Sequence, residues 1–256
     1  MALSLRKFLL HTAVAAAVAL PAATGPAAAF DKAEREEIEA IIHDYLLANP
    51  EVLIEVQEAL GAKQVAAQRA QQQDAIAGQS EQIFQSPADP VLGNPDGSVT
   101  VVEFFDYNCG FCKRAVSDMV SMMESDSELK FVLKEFPILG PESEAAHRVA
   151  LAFHDLHPEK YAEFHLRLMS NEGRANDEVA MRIATELGAE EAALRTQMAD
   201  ASVSERIRGT YELANALGIS GTPAYVIGDE VISGALGEEV LSTKVANVRE
   251  CGSTVC

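Results

Sequence analysis

Two cysteines, Cys109 and Cys112, are the residues of this chain whose type and spacing are best suited to chemistry. They follow the apolar run of residues 99–105, which predicts a buried strand, and they precede a helical pattern over residues 113–124. The start of a helix presents unpaired N–H groups and the positive end of its dipole, which stabilise a thiolate. We therefore predict a redox centre in which an exposed Cys109 attacks a disulfide and Cys112, one turn into the helix, resolves the mixed disulfide.

The first 29 residues predict export from the cytoplasm. Two basic residues precede an apolar stretch over residues 8–20, and small residues occupy positions 27–29. This stretch is shorter than the roughly 20 apolar residues that span a bilayer. We predict a secretory signal peptide that is cleaved before Phe30, and a protein located in the periplasm. An uncleaved membrane anchor is the alternative that these residues leave open.

Two further cysteines, Cys251 and Cys256, stand five residues apart near the end of the sequence. The C-x-x-C spacing also forms half of many zinc sites, but a four-cysteine site would have to join the active helix to this tail. An even set of cysteines in an exported protein favours two disulfide pairs. We predict a structural disulfide between Cys251 and Cys256 and neither a metal nor another cofactor. A labile regulatory bond or a copper-type thiolate site in the tail stays open.

The charge of the chain excludes several classes of partner. The sequence contains 20 Lys and Arg residues against 39 Asp and Glu residues, a formal net charge of −19 at pH 7. Loss of the predicted signal makes the mature chain more negative, so nucleic acid and anionic lipid are not expected as partners. The charge is explained by solubility and does not identify a substrate. The sequence contains no P-loop, dinucleotide-binding fingerprint or serine elbow.

Residues 30–84 predict a separate helical module. Asp31 is a suitable N-cap for a helix that reaches Ala48, and a second helix starts at Pro50. Two short amphipathic helices cannot bury their apolar faces alone, so they dock on the main domain or join copies of the chain. The Ala- and Gln-rich stretch 62–82 predicts a solvated helix or a pliable linker without a core of its own. This polar spacer favours a distinct module that self-associates.

Residues 85–256 predict an α/β domain. The strand over 99–105, the helix over 113–124 and a second strand over 129–135 form a β-α-β unit with parallel strands. The pattern from about 140 to 217 is helical throughout, so it predicts an inserted helical domain and not a loop. The elements after the insertion are two strands and a last helix, over residues 224–227, 231–233 and 238–248.

Three motifs make the chain resemble the DsbA-like branch of the thioredoxin superfamily, in which a helical domain splits the thioredoxin fold. They are Phe105 to Arg114 around the two cysteines, Glu135-Phe136-Pro137-Ile138, and Gly221-Thr222-Pro223-Ala224-Tyr225. The segment from Asp44 to Leu53 further resembles the N-terminal module of the ScsC group of suppressor-of-copper-sensitivity proteins. The resemblance implies an α/β protein: a thioredoxin fold with an inserted helical domain, preceded by an N-terminal α-helical oligomerisation module.

The resemblance also implies roles for residues other than the two cysteines. Thr222 and Pro223 match the family's cis-proline loop, which faces the active disulfide and leaves the Thr222 backbone free to pair with an extended substrate. Glu103 matches a buried acid near the resolving thiol. A carboxylate in an apolar run is expected to have a raised pKa and to relay the proton of Cys112, whereas a solvated edge-strand acid is the alternative.

The two residues between the cysteines, Gly110 and Phe111, set the redox poise. The most oxidising members of the family carry a histidine there, which stabilises the thiolate, and this chain has none. We therefore predict a pKa for Cys109 below the about 8.5 of free cysteine and above the about 3.5 of the most oxidising enzyme. The redox potential is expected to lie nearer to that of isomerases.

Other side chains that can bind metals are interpreted as structural. His154, His157 and His165 lie around a helix break at Pro158, and we predict surface histidines of the insertion rather than a metal site. Three methionines follow the cysteines and are expected to pack in the core or against substrate rather than bind copper: Met119, Met122 and Met123.

The resulting functional hypothesis is a periplasmic thiol-disulfide oxidoreductase, specifically a disulfide isomerase that acts on cysteine-containing exported proteins. A disulfide oxidase of the DsbA type and a copper-binding or copper-sequestering protein are the alternatives. Similarity to the ScsC group implies a homotrimer joined through residues 30–60 and a membrane protein as redox partner.

Overall fold

A computed structural model of the protein describes residues 30–256. The predicted signal peptide, residues 1–29, lies outside this range. The chain divides into two compact units, one that ends at Leu60 and one that comprises Gly61–Cys256. Within residues 30–256, the structure contains no helix that is both long enough and apolar enough to cross a membrane.

The first unit contains helix α1 (Lys32–Ala48) and the first turns of helix α2 (Glu51–Gly78). Asp31 caps α1 reciprocally: its carboxylate accepts the Glu34 N–H at 2.9 Å, and the Glu34 carboxylate accepts the Asp31 N–H at 2.8 Å. Ten large apolar residues of the unit are between 37% and 70% exposed, and we call them the N-terminal apolar surface: Phe30, Ile38, Ile41, Ile42, Tyr45, Leu47, Leu53, Ile54, Val56 and Leu60. The two predicted helices are therefore present, but their apolar residues find no cover among the described residues of the unit.

Helix α2 continues through the Ala- and Gln-rich stretch to Gly78, and helix α3 (Ser80–Phe84) follows. The stretch is therefore helical and not a pliable linker. Ile76 and Ile83 are 4% and 0% exposed and pack with residues of the sheet in the core of the second unit. The unit boundary thus falls before this stretch, whereas the sequence pattern places the stretch with the N-terminal module.

In the described part of the chain, five strands form one sheet in the order β1-β3-β2-β4-β5. The strands are β1 (Val91–Gly93), β2 (Val99–Phe105), β3 (Leu129–Glu135), β4 (Ala224–Ile227) and β5 (Glu230–Ser233). Strands β2 and β3 are parallel and are connected by helix α4 (Gly110–Ser125), whereas the other pairs are antiparallel. The sequence does not predict β1, because three residues are too short for a periodic signal. Strand β2 lies at the centre of the sheet, which explains why its residues are almost all buried.

Helices of the insertion fill the connection between β3 and β4. They are α5 (Pro141–Leu156), α6 (Tyr161–Met169), α7 (Asp177–Glu186), α8 (Glu191–Met198) and α9 (Ala201–Ala216), with a short 3-10 turn at Pro158–Lys160. The last helix, α10 (Glu238–Cys251), follows β5. Apolar residues of α4 to α8 and of the sheet share one core, so the insertion packs directly on the element that carries the two cysteines. The predicted α/β fold with a helical insertion is confirmed.

Candidate active site

Cys109 is the N-cap residue of helix α4, and its sulfur accepts a hydrogen bond from the Cys112 N–H at 3.3 Å. The N–H of Cys109 is itself bonded to the Asp106 carbonyl at 2.9 Å, so the loop after β2 holds the sulfur at the helix start. The helix begins at Gly110, three residues earlier than the predicted start, which puts Cys112 in its first turn. Cys109 and Cys112 are both free thiols.

Cys109 is buried, since only 6% of the residue is exposed. The Thr222–Pro223 peptide bond is cis, and the loop that contains it lies against the sulfur: Cys109 Sγ is 3.2 Å from the Thr222 carbonyl oxygen, to which it donates when it is protonated. The prediction of an exposed thiol is wrong, because this distant loop covers it. Phe111, by contrast, is 60% exposed, and the Arg114 guanidinium lies 4.4 Å from the centre of its ring.

The two thiols differ in protonation. The pKa of Cys109 is lowered from 9.0 to about 5 by a hydrogen bond from the Cys112 thiol above all, whereas burial acts in the opposite direction. Further hydrogen bonds from the Thr222 side chain and the Phe111 N–H lower it as well. This value lies between the about 3.5 and about 8.5 that bracket the sequence prediction. Burial raises the pKa of Cys112, so this thiol keeps its proton while Cys109 is a thiolate at neutral pH.

Glu103 lies on strand β2, directly opposite Tyr225 of β4, and is 4% exposed. Burial, followed by the charge of Cys109, raises the pKa of Glu103 to about 8, and a hydrogen bond from Tyr225 opposes this effect. The charge of Glu103 in turn contributes to the raised pKa of Cys112. The alternative of a solvated edge-strand acid is wrong, because β2 is the central strand. A carboxyl group of this kind can hold or release a proton near neutral pH.

Buried polar side chains adjoin the loop that carries Cys109, and the sequence pattern does not predict them as a group. We call them the buried polar cluster, and each is at most 2% exposed: Asp106, Tyr107, Glu135, Ser143, His147, Tyr161 and His165. The prediction that His165 is a surface histidine is wrong. Burial, followed by the charge of His147, lowers the pKa of His165 to about 3, so its ring is neutral. Tyr107 and Glu135 belong to the sequence motifs, but most of their partners come from the insertion, and no local spacing links them.

The side chain of Asn108 attaches the loop before Cys109 to the insertion. It donates to the Ser143 hydroxyl at 2.9 Å and to the Ala175 carbonyl at 2.8 Å, and it accepts the Ala175 N–H at 2.7 Å. Three hydrogen bonds on one amide fix the backbone that directly precedes Cys109. The insertion is therefore part of the scaffold of the site.

Asp106 organises the same loop from inside. Its carboxylate accepts the Asn108 N–H and the Ser143 hydroxyl at 2.8 Å each, and the Leu139 N–H at 2.9 Å. Burial by itself raises the pKa of Asp106, but the nearby His147 ring and hydrogen bonds from Asn108 and Ser143 lower it overall. Asp106 is thus an anion whose partners are all provided by the protein.

The other two cysteines lie apart from the first pair. Cys251 and Cys256 form a disulfide at the end of helix α10, with Cα atoms 6.1 Å apart. The residues between them are anchored by Asp229, which accepts the Thr254 N–H and the Ser253 hydroxyl at 2.9 Å each.

Potential metal ligands are not grouped. Within residues 30–256, no three or more His, Cys, Asp or Glu side chains are arranged to hold a metal ion. The rings of His154 and His157 are partly exposed and pack on neighbouring aromatic rings. Met119 and Met122 are each 2% exposed and belong to the core.

Two known protein families match the chain. Residues 100–246 match the DSBA-like thioredoxin domain, which covers more than half of the sequence and includes the two cysteines and the cis-proline loop. Residues 34–67 match the N-terminal domain of the copper resistance protein ScsC.

Solved structures share the architecture. A thioredoxin-like oxidoreductase from Silicibacter pomeroyi DSS-3 is 39% identical, with a TM-score of 0.64 over 67% of this chain and 98% of that structure. A linker-deletion mutant of ScsC from Proteus mirabilis is 28% identical, with a TM-score of 0.64 over 88% of this chain and 97% of that structure. The second likeness therefore extends beyond the thioredoxin-like domain.

Curated relatives match between about half and three quarters of the chain. The thiol:disulfide interchange protein DsbA of Bordetella pertussis is 30% identical over 146 residues, which are 54% of this chain and 68% of that protein. The chain spans less than a third of two other relatives, the Na⁺/H⁺ antiporters NhaA 1 of Salinispora arenicola and NhaA 3 of Salinispora tropica, each 26% identical. The activity of those longer proteins does not follow from such a match.

Proposed function

Because this chain belongs to the family of DSBA-like thioredoxin domains, we propose that it is a thiol-disulfide oxidoreductase with Cys109 and Cys112 as its redox-active pair. One observation carries the proposal: the Cys109 sulfur caps helix α4, accepts the Cys112 N–H at 3.3 Å and has a pKa of about 5, while Cys112 is buried and protonated. A thiolate is the nucleophile of disulfide exchange, and a protonated neighbour does not compete with it.

In the reducing direction, the Cys109 thiolate attacks one sulfur of a substrate disulfide, and the second substrate sulfur leaves as a thiolate. Cys112 then loses its proton and attacks Cys109 in the mixed disulfide, which forms the Cys109–Cys112 bond and expels the other substrate thiolate. Glu103 accepts the proton of Cys112 and passes it to the departing thiolate. The substrate gains the two electrons that the cysteine pair loses, and the reverse sequence introduces a disulfide.

The substrate segment is expected to lie along the cis-proline loop. The Thr222 carbonyl oxygen is 3.2 Å from the Cys109 sulfur, so an extended chain that pairs with the Thr222 backbone brings its own sulfur to Cys109. Pro223 keeps this part of the loop from donating to the substrate, because proline has no N–H. Phe111 offers an exposed ring next to the reacting atoms.

The N-terminal apolar surface supports self-association and, with it, isomerase activity. Ile41, Ile42 and Tyr45 are 62%, 53% and 56% exposed, and within residues 30–60 helix α1 and the first turns of α2 lack an apolar cover, which a second copy would supply. An oligomer joined through residues 30–60, with a trimer as the assembly that the likeness to ScsC favours, places several active sites around one substrate. A substrate thiolate that is held nearby then attacks the mixed disulfide before Cys112 does, which exchanges disulfide partners.

The compartment and the partners complete the proposal. The signal-like segment at residues 1–29 supports a periplasmic location, where exported proteins with cysteines are the substrates. An isomerase must stay reduced in an oxidising compartment. It therefore needs an electron donor on the membrane, which we propose as the redox partner.

Two assays on the full-length protein test the proposal. The wild type is expected to catalyse insulin reduction, Cys109→Ser to be inactive, and Cys112→Ser to accumulate a mixed disulfide because it cannot resolve it. Recovery of scrambled ribonuclease separates an isomerase from an oxidase, which acts only on reduced ribonuclease. If Cys109 is alkylated at about pH 6 no faster than free cysteine, the redox proposal is refuted.

A second candidate is capture of Cu(I) by the Cys109 and Cys112 thiolates. It is supported by the match of residues 34–67 to the N-terminal domain of a copper resistance protein and by the softness of thiolate ligands. Titration with Cu(I) against a chelator compares the wild type with Cys109→Ser. Loss of binding in the variant assigns the ion to this pair, and unchanged binding removes the candidate.

A further inference from the structure

His147 of helix α5 joins the loop before Cys109 to the end of strand β3. Its Nε2 accepts the Tyr107 backbone N–H at 3.3 Å, and its Nδ1 is hydrogen-bonded to the Glu135 carboxylate. Because Nε2 accepts, the ring proton sits on Nδ1 and is donated to Glu135, which is the neutral tautomer. The ring is completely buried, so its partners are set by the fold and not by solvent.

A second partner for the same nitrogen lies nearby. Asp106 Oδ1 is 3.9 Å from His147 Nε2, and Asp106 directly precedes Tyr107. When the ring gains a second proton, Nε2 becomes a donor and can no longer accept the Tyr107 N–H. It then bonds the Asp106 carboxylate, because opposite charges attract strongly in a buried site. Neutral His147 therefore bonds Tyr107, whereas protonated His147 bonds Asp106, the preceding residue of the same loop.

The groups around His147 favour a change of state near neutral pH. The titratable groups that face it are Asp106 and Tyr107 of the loop, Glu135 of β3, and Tyr161 and His165 of α6. Burial alone lowers the pKa of His147, but the charge of Glu135 above all, together with the nearby Asp106 carboxylate, raises it to about 8. The pKa of His165 is lowered to about 3 and those of both tyrosines are raised, so these three groups keep their state.

The same loop contacts both halves of the redox pair. The Asp106 carbonyl accepts the Cys109 N–H at 2.9 Å. Burial has the larger effect on the pKa of Cys112, but a hydrogen bond from the Asp106 backbone lowers it. Any shift of Asp106 toward His147 is therefore transmitted to both cysteines through single hydrogen bonds.

We propose that His147 is a positioning residue for disulfide exchange, a role that rests on the proposed function: its protonation replaces Tyr107 with Asp106 as the partner of Nε2 and thereby resets the loop that holds Cys109. His147 does not touch the substrate and transfers no proton to sulfur. Its cationic state favours the Cys109 thiolate, and loss of the positive charge makes that thiolate a stronger nucleophile.

The rate of Cys109 alkylation by iodoacetamide, measured in the reduced full-length protein between about pH 4 and pH 10, tests this role. The wild type is expected to show one inflection near pH 5, where Cys109 ionises, and a second rise near pH 8, where His147 loses its proton. The second rise is about threefold for a change of one unit in the thiol pKa, because nucleophilicity follows that pKa with a coefficient of about 0.4–0.5. Cys112 does not interfere, since it is buried and protonated.

His147→Gln supplies an amide oxygen for the Tyr107 N–H but cannot be protonated. It is expected to keep the first inflection and lose the second. His157→Gln is the matched control: His157 lies at the end of the same helix, its ring packs on Phe153, and both inflections are expected to remain. A purely structural role of His147 would lower stability without changing the shape of the profile.

Two results overturn the proposal: a wild-type profile without the second rise, or a second rise that persists in His147→Gln. If the glutamine variant does not fold, His147→Asn, whose amide can donate to Glu135, takes its place. Ring-nitrogen NMR of the wild type gives an independent test, with the proton on Nδ1 expected above about pH 8 and both nitrogens protonated below it. If the alkylation profile lacks the inflection near pH 5, the proposed function is refuted instead. The NMR spectra would then still show whether His147 changes its partner from Tyr107 to Asp106.

Discussion

Glu103 and Tyr225 face each other across strands β2 and β4, and both side chains are buried. Each side chain shifts the pKa of the other, but in opposite directions. The Tyr225 hydrogen bond stabilises the Glu103 carboxylate, whereas the charge of Glu103 adds to the effect of burial and raises the pKa of Tyr225 further. Tyr225 therefore remains a donor, and Glu103, with a pKa of about 8, is the group of the pair that can exchange a proton near neutral pH.

Replacement of Glu103 by glutamine is expected to slow resolution of the mixed disulfide on the order of 100-fold, because a positioned general base contributes at least a factor of that size. Glutamine cannot accept the proton of Cys112, while the first attack by Cys109 needs no base and is expected to change far less. Acid quenching followed by non-reducing electrophoresis measures how long the mixed disulfide survives. Glu124→Gln, an exposed acid of helix α4, is the control. Equal lifetimes in the two variants would contradict a proton relay.

Glu103 also makes stability depend on pH. Its pKa rises from 4.5 to about 8 on folding, so the stabilisation by the bound proton is complete below pH 4.5 and is lost as the pH rises to 8. Glu103→Gln resembles the protonated acid at every pH. At pH 8 its free energy of unfolding is expected to exceed that of the wild type by a few kcal/mol, on the order of 3 to 5, and at pH 4.5 the two are expected to agree closely. Urea denaturation of the reduced proteins at both pH values measures this, and a pH-independent difference would contradict a raised pKa.

The redox potential follows from the Cys109 thiolate. The pKa of Cys109 is lowered to about 5, so its thiolate stabilises the reduced form of the protein. This stabilisation is complete above the ordinary thiol pKa and is lost as the pH falls through 5. Equilibration with glutathione is expected to give a potential near the about −180 mV of protein disulfide isomerase and not the about −270 mV of thioredoxin. Phe111→His is expected to be more oxidising, since a cationic ring beside the sulfur stabilises the thiolate. A wild-type value as low as that of thioredoxin would contradict the assignment.

The β-α-β unit around the two cysteines could be predicted from the sequence, because apolar runs and helical periodicity are local signals. Strands β2 and β3 occupy the predicted residues 99–105 and 129–135, and the helical insertion fills the predicted connection. Strand β1 could not be predicted, since its three residues are too few to show a hydrophobic periodicity. The core position of Ile76 also escapes, because an Ala- and Gln-rich neighbourhood gives no amphipathic signal.

Burial of Cys109 and the buried polar cluster could not be predicted from spacing, because each depends on partners far away in the sequence. Thr222 lies 113 residues after Cys109, and His147 lies 40 residues after Tyr107. A polar residue type alone predicts a surface position. This prediction fails for His165, because the helical insertion and the sheet enclose polar side chains that bond one another.

Asp229, in the turn between β4 and β5, connects helix α2 to the C-terminal tail. It accepts the Gln73 amide at 2.7 Å and the Thr254 N–H at 2.9 Å. Although burial acts against it, these bonds and that of Ser253 lower the pKa of Asp229 to about 2. Asp229→Asn is expected to reduce the free energy of unfolding by about 1–2 kcal/mol. This loss of stability in the variant is complete above pH 3.8, the ordinary pKa of an aspartate, and disappears as the pH falls through 2. Urea denaturation measures it, with exposed Asp74→Asn as the control, and equal losses in both variants would contradict the anchoring role.

Ile41 and Tyr45 lie one turn apart on helix α1 and are 62% and 56% exposed. Aspartate at both positions is expected to convert the proposed oligomer into monomers, because charges in an apolar interface are left without partners. Light scattering on the full-length protein measures the mass. His43→Asp places one carboxylate on the side of α1 opposite Ile41 and Tyr45, where His43 is 70% exposed, and is expected to leave the assembly intact.

The monomeric Ile41→Asp/Tyr45→Asp variant separates chemistry from assembly. Its Cys109 and Cys112 are unchanged, so insulin reduction is expected to persist at about the wild-type rate per active site. Recovery of scrambled ribonuclease is expected to fall on the order of tenfold or more, because it relies on the high local concentration of active sites in the oligomer. Two results would show that isomerase activity does not depend on the N-terminal apolar surface. One is a wild type that is monomeric, and the other is a monomeric variant that refolds scrambled ribonuclease as well as the wild type does.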